Sequence, residues 1–368
     1  MLKLDKSIAP AFFFTIFLSI MVLDDAALQL KMFALALFLF TFTLTSSTIM
    51  VKKIHLDFYL IGFFITLFFI SFIPLLSDFN LHSFKVLRFV NFALLFTLIL
   101  SASKAFLERF LFYVAVFGAF SLLLIFLFFP EINPNAFGYS ILPAVILLKP
   151  KFGFTVFLSI VVFYFGARGA AAAMLLSTLL VLYAGNSILK ERIVLYAMIF
   201  LIFIALLAQY IITFQYFNNI ELNLVLSKRP FIWNSYASIA IADINSLLFG
   251  VGEVTSDYAE KAGEIVSENF DASRAYGPHS FYISTIFEYG LLGFILLFSI
   301  ILKTTLRKDV SISLSIRLLP LIYMFIGFTL PIQLGGFRVY DYFFIISVAF
   351  LYSNISKKNY EKDLVLTK

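Results

Sequence analysis

Long apolar runs separated by brief polar stretches make up most of the chain. A bilayer-crossing helix needs about 20 such residues. Runs near that length recur at about 7–23, 27–50, 57–77, 84–102, 105–129, 135–149, 151–166, 169–186, 192–214, 280–302, 317–334 and 337–354. The sixth and seventh are short and are joined by Lys149-Pro150-Lys151. One polar interval breaks the rhythm, from Gln215 to about His279, and it is too long for a structureless connection. The pattern therefore predicts an all-α polytopic membrane protein with about twelve transmembrane helices and one large, partly helical periplasmic loop. It falls into three parts: helices one to nine over 1–214, the loop over 215–279, and helices ten to twelve with a cytoplasmic tail over 280–368.

Within the loop, Pro230 suits the first position of a helix, which makes Arg229 its cap. Phe231, Ile232, Trp233, Tyr236, Ile239 and Ala240 then recur at helical spacing. That pattern predicts a helix lying in the membrane interface with its aromatic rings among the headgroups. A second helix is expected over about 255–269, with Asp257, Glu260, Glu264 and Glu268 on one stripe that reads as a solvated face. No internal repeat is visible.

Composition strengthens the membrane reading. The chain is 62% hydrophobic and 13% charged, with 50 Phe and a mean hydropathy of +1.01, whereas soluble domains carry about 25% charged residues. The absence of cysteine excludes disulfides and thiolate chemistry. A net charge of +6 needs no nucleic-acid partner, because membrane proteins collect Lys and Arg in cytoplasmic connections. With the N-terminus inside, most basic residues, from Lys3 and Lys6 to Lys357 and Lys358, fall on one side and occur in every connection there. Both termini are accordingly expected in the cytoplasm. The first apolar run ends at Asp24-Asp25 without a small-residue cleavage signature, so it reads as a retained span.

The basic residues assigned to the outer side run against that bias: Lys31, Lys85, Arg88, Arg168, Lys228, Arg229, Lys261, Arg274 and Arg338. Arg168, in the stretch FGARGAAAA, opens a helix whose N-terminus already carries partial positive charge. A guanidinium there calls for an anion between the two. Arg229 is expected to repeat the arrangement, and Arg338 follows paired glycines that permit close backbone approach. Each has a simpler reading, namely snorkelling for Arg168, nonspecific lipid phosphate for Arg229 and pairing with Asp341 for Arg338. Several cations at one membrane face, where charge is costly to hold, favour a functional site.

His279 follows Gly277-Pro278 at the threshold of the tenth helix. The other two histidines, His55 and His82, belong to different connections, so no metal-binding histidine cluster is expected and no cofactor is implied. General base and phosphate donor both remain open for His279. Tyr282 shares its face at i+3. Glu288 lies deeper on the opposite face, beside Gly290-Leu-Leu-Gly293, and is expected to pair with a neighbouring helix.

Taken in order, these segments resemble a known family. They are Asn-Pro-Asn at 133–135, Gly-Ala-Arg-Gly at 166–169, Ser-Lys-Arg-Pro-Phe-Ile-Trp at 227–233, Leu-Phe-Gly-Val-Gly at 248–252, and the stretch His-Ser-Phe-Tyr through Glu-Tyr-Gly-Leu-Leu-Gly at 279–293. Together they resemble the O-antigen polymerase and ligase superfamily of integral membrane glycosyltransferases with GT-C-like architecture. Where the family often has His-Asn, this chain has His279-Ser280. The resemblance implies a donor sugar on undecaprenyl pyrophosphate, handled at the periplasmic face without metal. His279, Arg229 and Arg168 would be catalytic, and Arg338, Trp233, Tyr282, Tyr276 and Asn135 would bind substrate, the aromatics by sugar stacking or else as packing. A chain-length regulator and a flippase are the implied partners. Polymerase is the preferred reading, ligase the alternative. A lipid-linked oligosaccharide transporter is a third reading, disfavoured because the unusual charges gather at the outer boundary rather than the midplane.

Overall fold

A computed structural model of the chain describes residues 5–22, 28–46, 58–72, 79–128, 134–148, 152–164, 166–185, 187–252, 258, 260, 262, 277–306, 312–328, 341 and 343–352. Every regular element among them is helical. In chain order these are α1 (Ile8–Val22), α2 (Leu28–Ser46), α3 (Phe58–Phe72), α4 (Phe79–Ser101), α5 (Lys104–Phe128), α6 (Pro134–Leu148), α7 (Phe152–Tyr164) and α8 (Arg168–Ala184). They are followed by α9 (Ile188–Gln215), α10 (Ile220–Val225), α11 (Arg229–Ala240), α12 (Ile244–Phe249), α13 (Phe281–Thr305), α14 (Leu314–Ile326) and α15 (Phe343–Tyr352). The helices match the apolar runs to within a few residues over most of the chain.

Burial is inverted relative to a water-soluble protein. Helix α7 turns Thr155 and Ser159 inward while Phe154, Phe157, Ile160 and Phe163 are more than half exposed. Helix α9 likewise buries Gln209 and Thr213 and exposes Phe200, Phe203 and Tyr210. Such a belt would be strongly unfavourable in water and is favourable against lipid tails. Among the described residues, α9 and α13 can each cross a bilayer by length and composition, and several shorter apolar segments accompany them. The chain is thus a helical membrane protein.

Two packed regions organise the molecule. In the N-terminal region, α1, α2 and α5 interlock through Phe14, Phe38, Phe42, Phe106 and Phe110, whose rings meet edge to face or stacked at centroid distances of 4.5 to 6.4 Å. In the second region, α9, α13 and α14 run side by side, with α6 and α8 against α14 and with α11 laid across α9 and α13. Helices α10, α11 and α12 lie in the polar interval, so its partly helical character holds.

The interfacial expectation for α11 is corrected. Its apolar face, Phe231, Ile232, Trp233, Tyr236 and Ala240, is covered by protein. Phe287 of α13 meets the Tyr236 ring edge-on at 5.1 Å. A helical stripe of apolar residues demands only a dry partner, which headgroups and another helix supply equally well. Of the 255–269 helix, Tyr258, Glu260 and Ala262 are described and all three are helical.

The expectation that Gly290 serves close helix packing is also corrected. Gly290 has φ +69°, ψ 178° and breaks α13 into two segments. A Cβ there would lie 2.2 Å from the Leu248 carbonyl oxygen, so Gly290 admits the backbone of residues 248–249. Gly250, at φ +87°, makes the reciprocal approach to the Glu288 carbonyl. The kink removes the helical partner of the Phe287 carbonyl, which instead accepts from Val251 N–H at 2.7 Å and Gly252 N–H at 3.3 Å. Only residues free of Cβ strain reach such positions. Both glycine motifs are thereby explained as one joint between loop and span.

Candidate functional site

The joint is stiffened by charge. Arg88 of α4 meets Glu288 of α13 at 3.4 Å, with side-chain exposures of 8% and 2%. Glu288 thus pairs with a neighbouring helix, as its sequence position implied. The Tyr236 hydroxyl lies in the field of the same carboxylate; burial first, and Glu288 second, push its pKa well above the ordinary phenolic value. A buried pair of this kind is costly to break from one side.

Above it, at the end where the loop sits, four elements close into a ring of contacts. Ser280 caps α13, accepting from Ile283 N–H at 3.4 Å and donating its hydroxyl to Gln209 Oε1 of α9 at 3.1 Å. Phe281 N–H donates to the Gly327 carbonyl at the end of α14 at 2.8 Å. The next residue, Phe328, meets the Trp233 ring of α11 at 5.0 Å. Asn234 returns to α9 by donating Nδ2 to the Thr213 carbonyl at 2.9 Å, one turn beyond Gln209.

His279 is built into this ring at φ +45°, a left-handed conformation uncommon for a side chain with a Cβ. It is intermediate in exposure. The turn puts the imidazole immediately before the cap of α13, so its position is set by the Ser280 and Phe281 bonds.

Arg168 opens α8 and Arg229 opens α11. Tyr139 of α6 lies within the electrostatic reach of Arg229, and the Tyr323 hydroxyl of α14 reaches the Tyr139 carbonyl at 3.5 Å. At the adjacent Gly138, a Cβ would fall 2.8 Å from the Ala167 Cβ and 2.9 Å from that of Ala170. The start of α8 is therefore pressed against α6 through Ala167 and Ala170, while the Arg168 side chain itself is exposed.

The arginines differ in setting, which corrects the expectation that they repeat one arrangement. Arg168 is exposed and opens α8, where Ala167 provides no side-chain cap. Its helix end keeps unpaired N–H groups directed outward. Arg229 is the first residue of α11 and Lys228, at φ +65°, takes the cap position. There the backbone is satisfied, since Asn223 Oδ1 accepts from Phe231 N–H at 3.2 Å. Arg229 is partly buried, and burial lowers its pKa, with Tyr139 opposing. No carboxylate among the described residues lies within ion-pair distance of Arg229 or Arg168. An arginine keeps its charge when partly buried, so Arg229 calls for an anion beyond the described residues.

Trp233 and Tyr282 are placed as packing. Trp233 is fully buried, and Tyr282 is 2% exposed with its hydroxyl donating to the Met324 carbonyl. Neither ring presents an open face for sugar stacking. Asn135 sits in the first turn of α6. Arg338 and Tyr276 lie outside the described residues. Among the described residues no group of His, Asp or Glu is arranged to hold a metal ion.

Gln209 and Thr213 were not singled out from the sequence. A carboxamide and a hydroxyl at i and i+4 inside an apolar span were the available signal. Arg88 was noticed as an outer cation, without its partner.

Residues 153–298 match the family model described as O-antigen ligase. That places the segment from α7 to most of α13, with Arg168, Arg229 and His279 inside it, in the O-antigen ligase and polymerase superfamily, whose members are glycosyltransferase-like enzymes acting on polysaccharides. No curated protein and no solved structure matches the chain.

Proposed function

We propose that this protein is a polymerase of O-antigen or a related surface polysaccharide, transferring the growing glycan from undecaprenyl pyrophosphate to a lipid-linked repeat unit. The observation that carries the reading is that the partly buried Arg229 and the exposed Arg168 have no carboxylate partner among the described residues, in the matched segment that also carries His279. A diphosphate carried on a lipid tail has the required chemistry, since its charge sits at the membrane boundary while its tail stays in lipid.

In this reading Arg229 and Arg168 stabilise the charge that grows on the leaving diphosphate. Preorganised cations in a poorly solvated site serve that purpose better than water does. His279 either takes the proton of the attacking sugar hydroxyl or donates to the same diphosphate. Direct attack inverts the anomeric carbon. Arginines supply the positive charge that a metal supplies in other transferases, so no cofactor is invoked. The GT-C-like scaffold would face its site to the periplasm, with both termini in the cytoplasm, and would work beside a flippase and a chain-length regulator.

Complementation tests this. In a strain lacking its polymerase, the wild-type gene should restore a ladder of polysaccharide lengths. Arg168→Ala, Arg229→Ala and His279→Ala should reach the membrane yet give a single repeat unit or none. Normal ladders in all three would overturn the site. Restored transfer of glycan onto lipid A core in a ligase-deficient strain would identify a ligase instead.

A further inference from the structure

The ring formed by α9, α11, α13 and α14 contains three buried polar groups that no other described residue satisfies. Gln209 Nε2, Trp233 Nε1 and Thr213 Oγ1 have no hydrogen-bond partner among the described residues. Their side chains belong to residues that are 2%, 0% and 0% exposed. Buried donors without partners are rare and unfavourable in folded proteins. Unpartnered hydroxyls occur elsewhere, at Thr155, Ser159, Thr305 and Ser315, and since a hydroxyl rotates towards whichever acceptor is near, Thr213 carries less weight than Gln209 and Trp233. An indole N–H and a carboxamide point in fixed directions. Turning the Gln209 carboxamide over would only exchange which of its atoms meets Ser280 and which is left.

Position adds the second argument. Gln209 holds Ser280, the residue after His279. Trp233 abuts Phe328, which follows the Gly327 carbonyl that fixes Phe281. Thr213 is one turn from Gln209 on the same face of α9 and receives Asn234 on its carbonyl. Gln209 and Thr213 share one face of α9, Trp233 lies on the helix that Asn234 ties to it, and Ser280 links Gln209 to the His279 turn, so the three neutral groups belong to one helix junction.

We infer that Gln209, Trp233 and Thr213 form a subsite for the hydroxyl oxygens of a glycan, distinct from the cationic site at Arg168 and Arg229. Neutral N–H donors suit neutral oxygen acceptors, whereas a diphosphate would be drawn to the guanidinium groups. Trp233 thereby serves through its N–H, its ring being spent on packing. Ser280 holds Gln209 Oε1, so Nε2 is the atom left to donate to a sugar hydroxyl next to the His279 turn. The inference rests on the sugar-transfer reading above and adds where the sugar is held.

Trp233 is the only tryptophan in the chain, so its fluorescence reports on the subsite directly. The full-length protein in lipid nanodiscs is titrated with the lipid-free repeat-unit oligosaccharide of the host strain and, separately, with sodium pyrophosphate. The oligosaccharide should shift the emission saturably and pyrophosphate should not. Gln209→Met and Thr213→Val, checked for unchanged melting, should weaken the oligosaccharide response at least 10-fold. Equal affinity in both variants, or no shift in the wild type, overturns the inference and leaves water as the filler of the site. A ladder that survives Arg229→Met would overturn the diphosphate reading without touching the oligosaccharide shift. Ladder loss in that variant without any shift in the wild type would overturn only the subsite.

Discussion

The same three helices, α9, α13 and α14, end very differently at their two extremities. At the end away from the loop, Arg317 of α14 donates Nε and Nη2 to the Thr305 carbonyl at 3.1 and 2.8 Å and faces Glu191 of α9 at 3.6 Å. A cation on the terminal carbonyl of α13 complements its dipole, and the carboxylate neutralises what is left. At the loop end, Arg229 has no carboxylate among the described residues, His279 sits in a left-handed turn, and three buried polar groups lack partners. One extremity is closed by the chain's own residues. The other is not closed by any described residue.

That contrast can be attacked in order of expected effect. The joint beneath the site should fail first: Gly290→Ala places a methyl against the Leu248 carbonyl and forces φ +69° on alanine. It should cost at least about 3 kcal/mol, read as loss of folded protein from the membrane fraction. Wild-type accumulation would show that the loop backbone docks elsewhere.

Breaking the buried pair from one side comes next. Glu288→Leu alone should destabilise by about 3–5 kcal/mol, and adding Arg88→Met should restore most of it. Melting curves of the two variants measure the recovery, and a double variant no better than the single would mean the pair is not an isolated couple.

The two extremities are compared directly by Arg317→Met and Arg229→Met. The first should lower stability by about 2–3 kcal/mol while leaving turnover per folded molecule near wild type. The second should leave the melting temperature unchanged or raised and reduce transfer by about 10²-fold or more. If Arg229→Met unfolds the protein with Arg317→Met inactive but stable, the distinction between closed and open ends is wrong.

The smallest effect is expected at the cap. Ser280→Ala removes the bond to Ile283 N–H and the hold on Gln209, for about 1 kcal/mol. Hydrogen exchange at the first turn of α13 would register it.

Much of this could be read from residue order. Apolar run length marked α13 as 280–302 against Phe281–Thr305 observed, because lipid enforces length and leaves few alternatives. Arg168, Arg229 and His279 were visible because charge at a membrane boundary is unexpected. The partners were not visible. Nothing local in Gly250 or Gly290 says that they meet, and Arg88 lies 200 positions from Glu288. Nor does a stripe such as Phe231, Trp233 and Tyr236 reveal whether headgroups or helices cover it. Helical period records the need for burial, while the identity of the cover is a tertiary fact. The two orphaned nitrogens could be found only once the ring was closed, since every isolated Gln or Trp has unpaired groups.

The hook of Val251 and Gly252 on the Phe287 carbonyl also carries a timetable. Ribosomes deliver α10, α11 and α12 well before α13, so the carbonyl they fasten to does not yet exist when they emerge. Until synthesis passes Gly290 these helices have no anchor on that side, and chains stalled earlier should be the ones that quality-control proteases find.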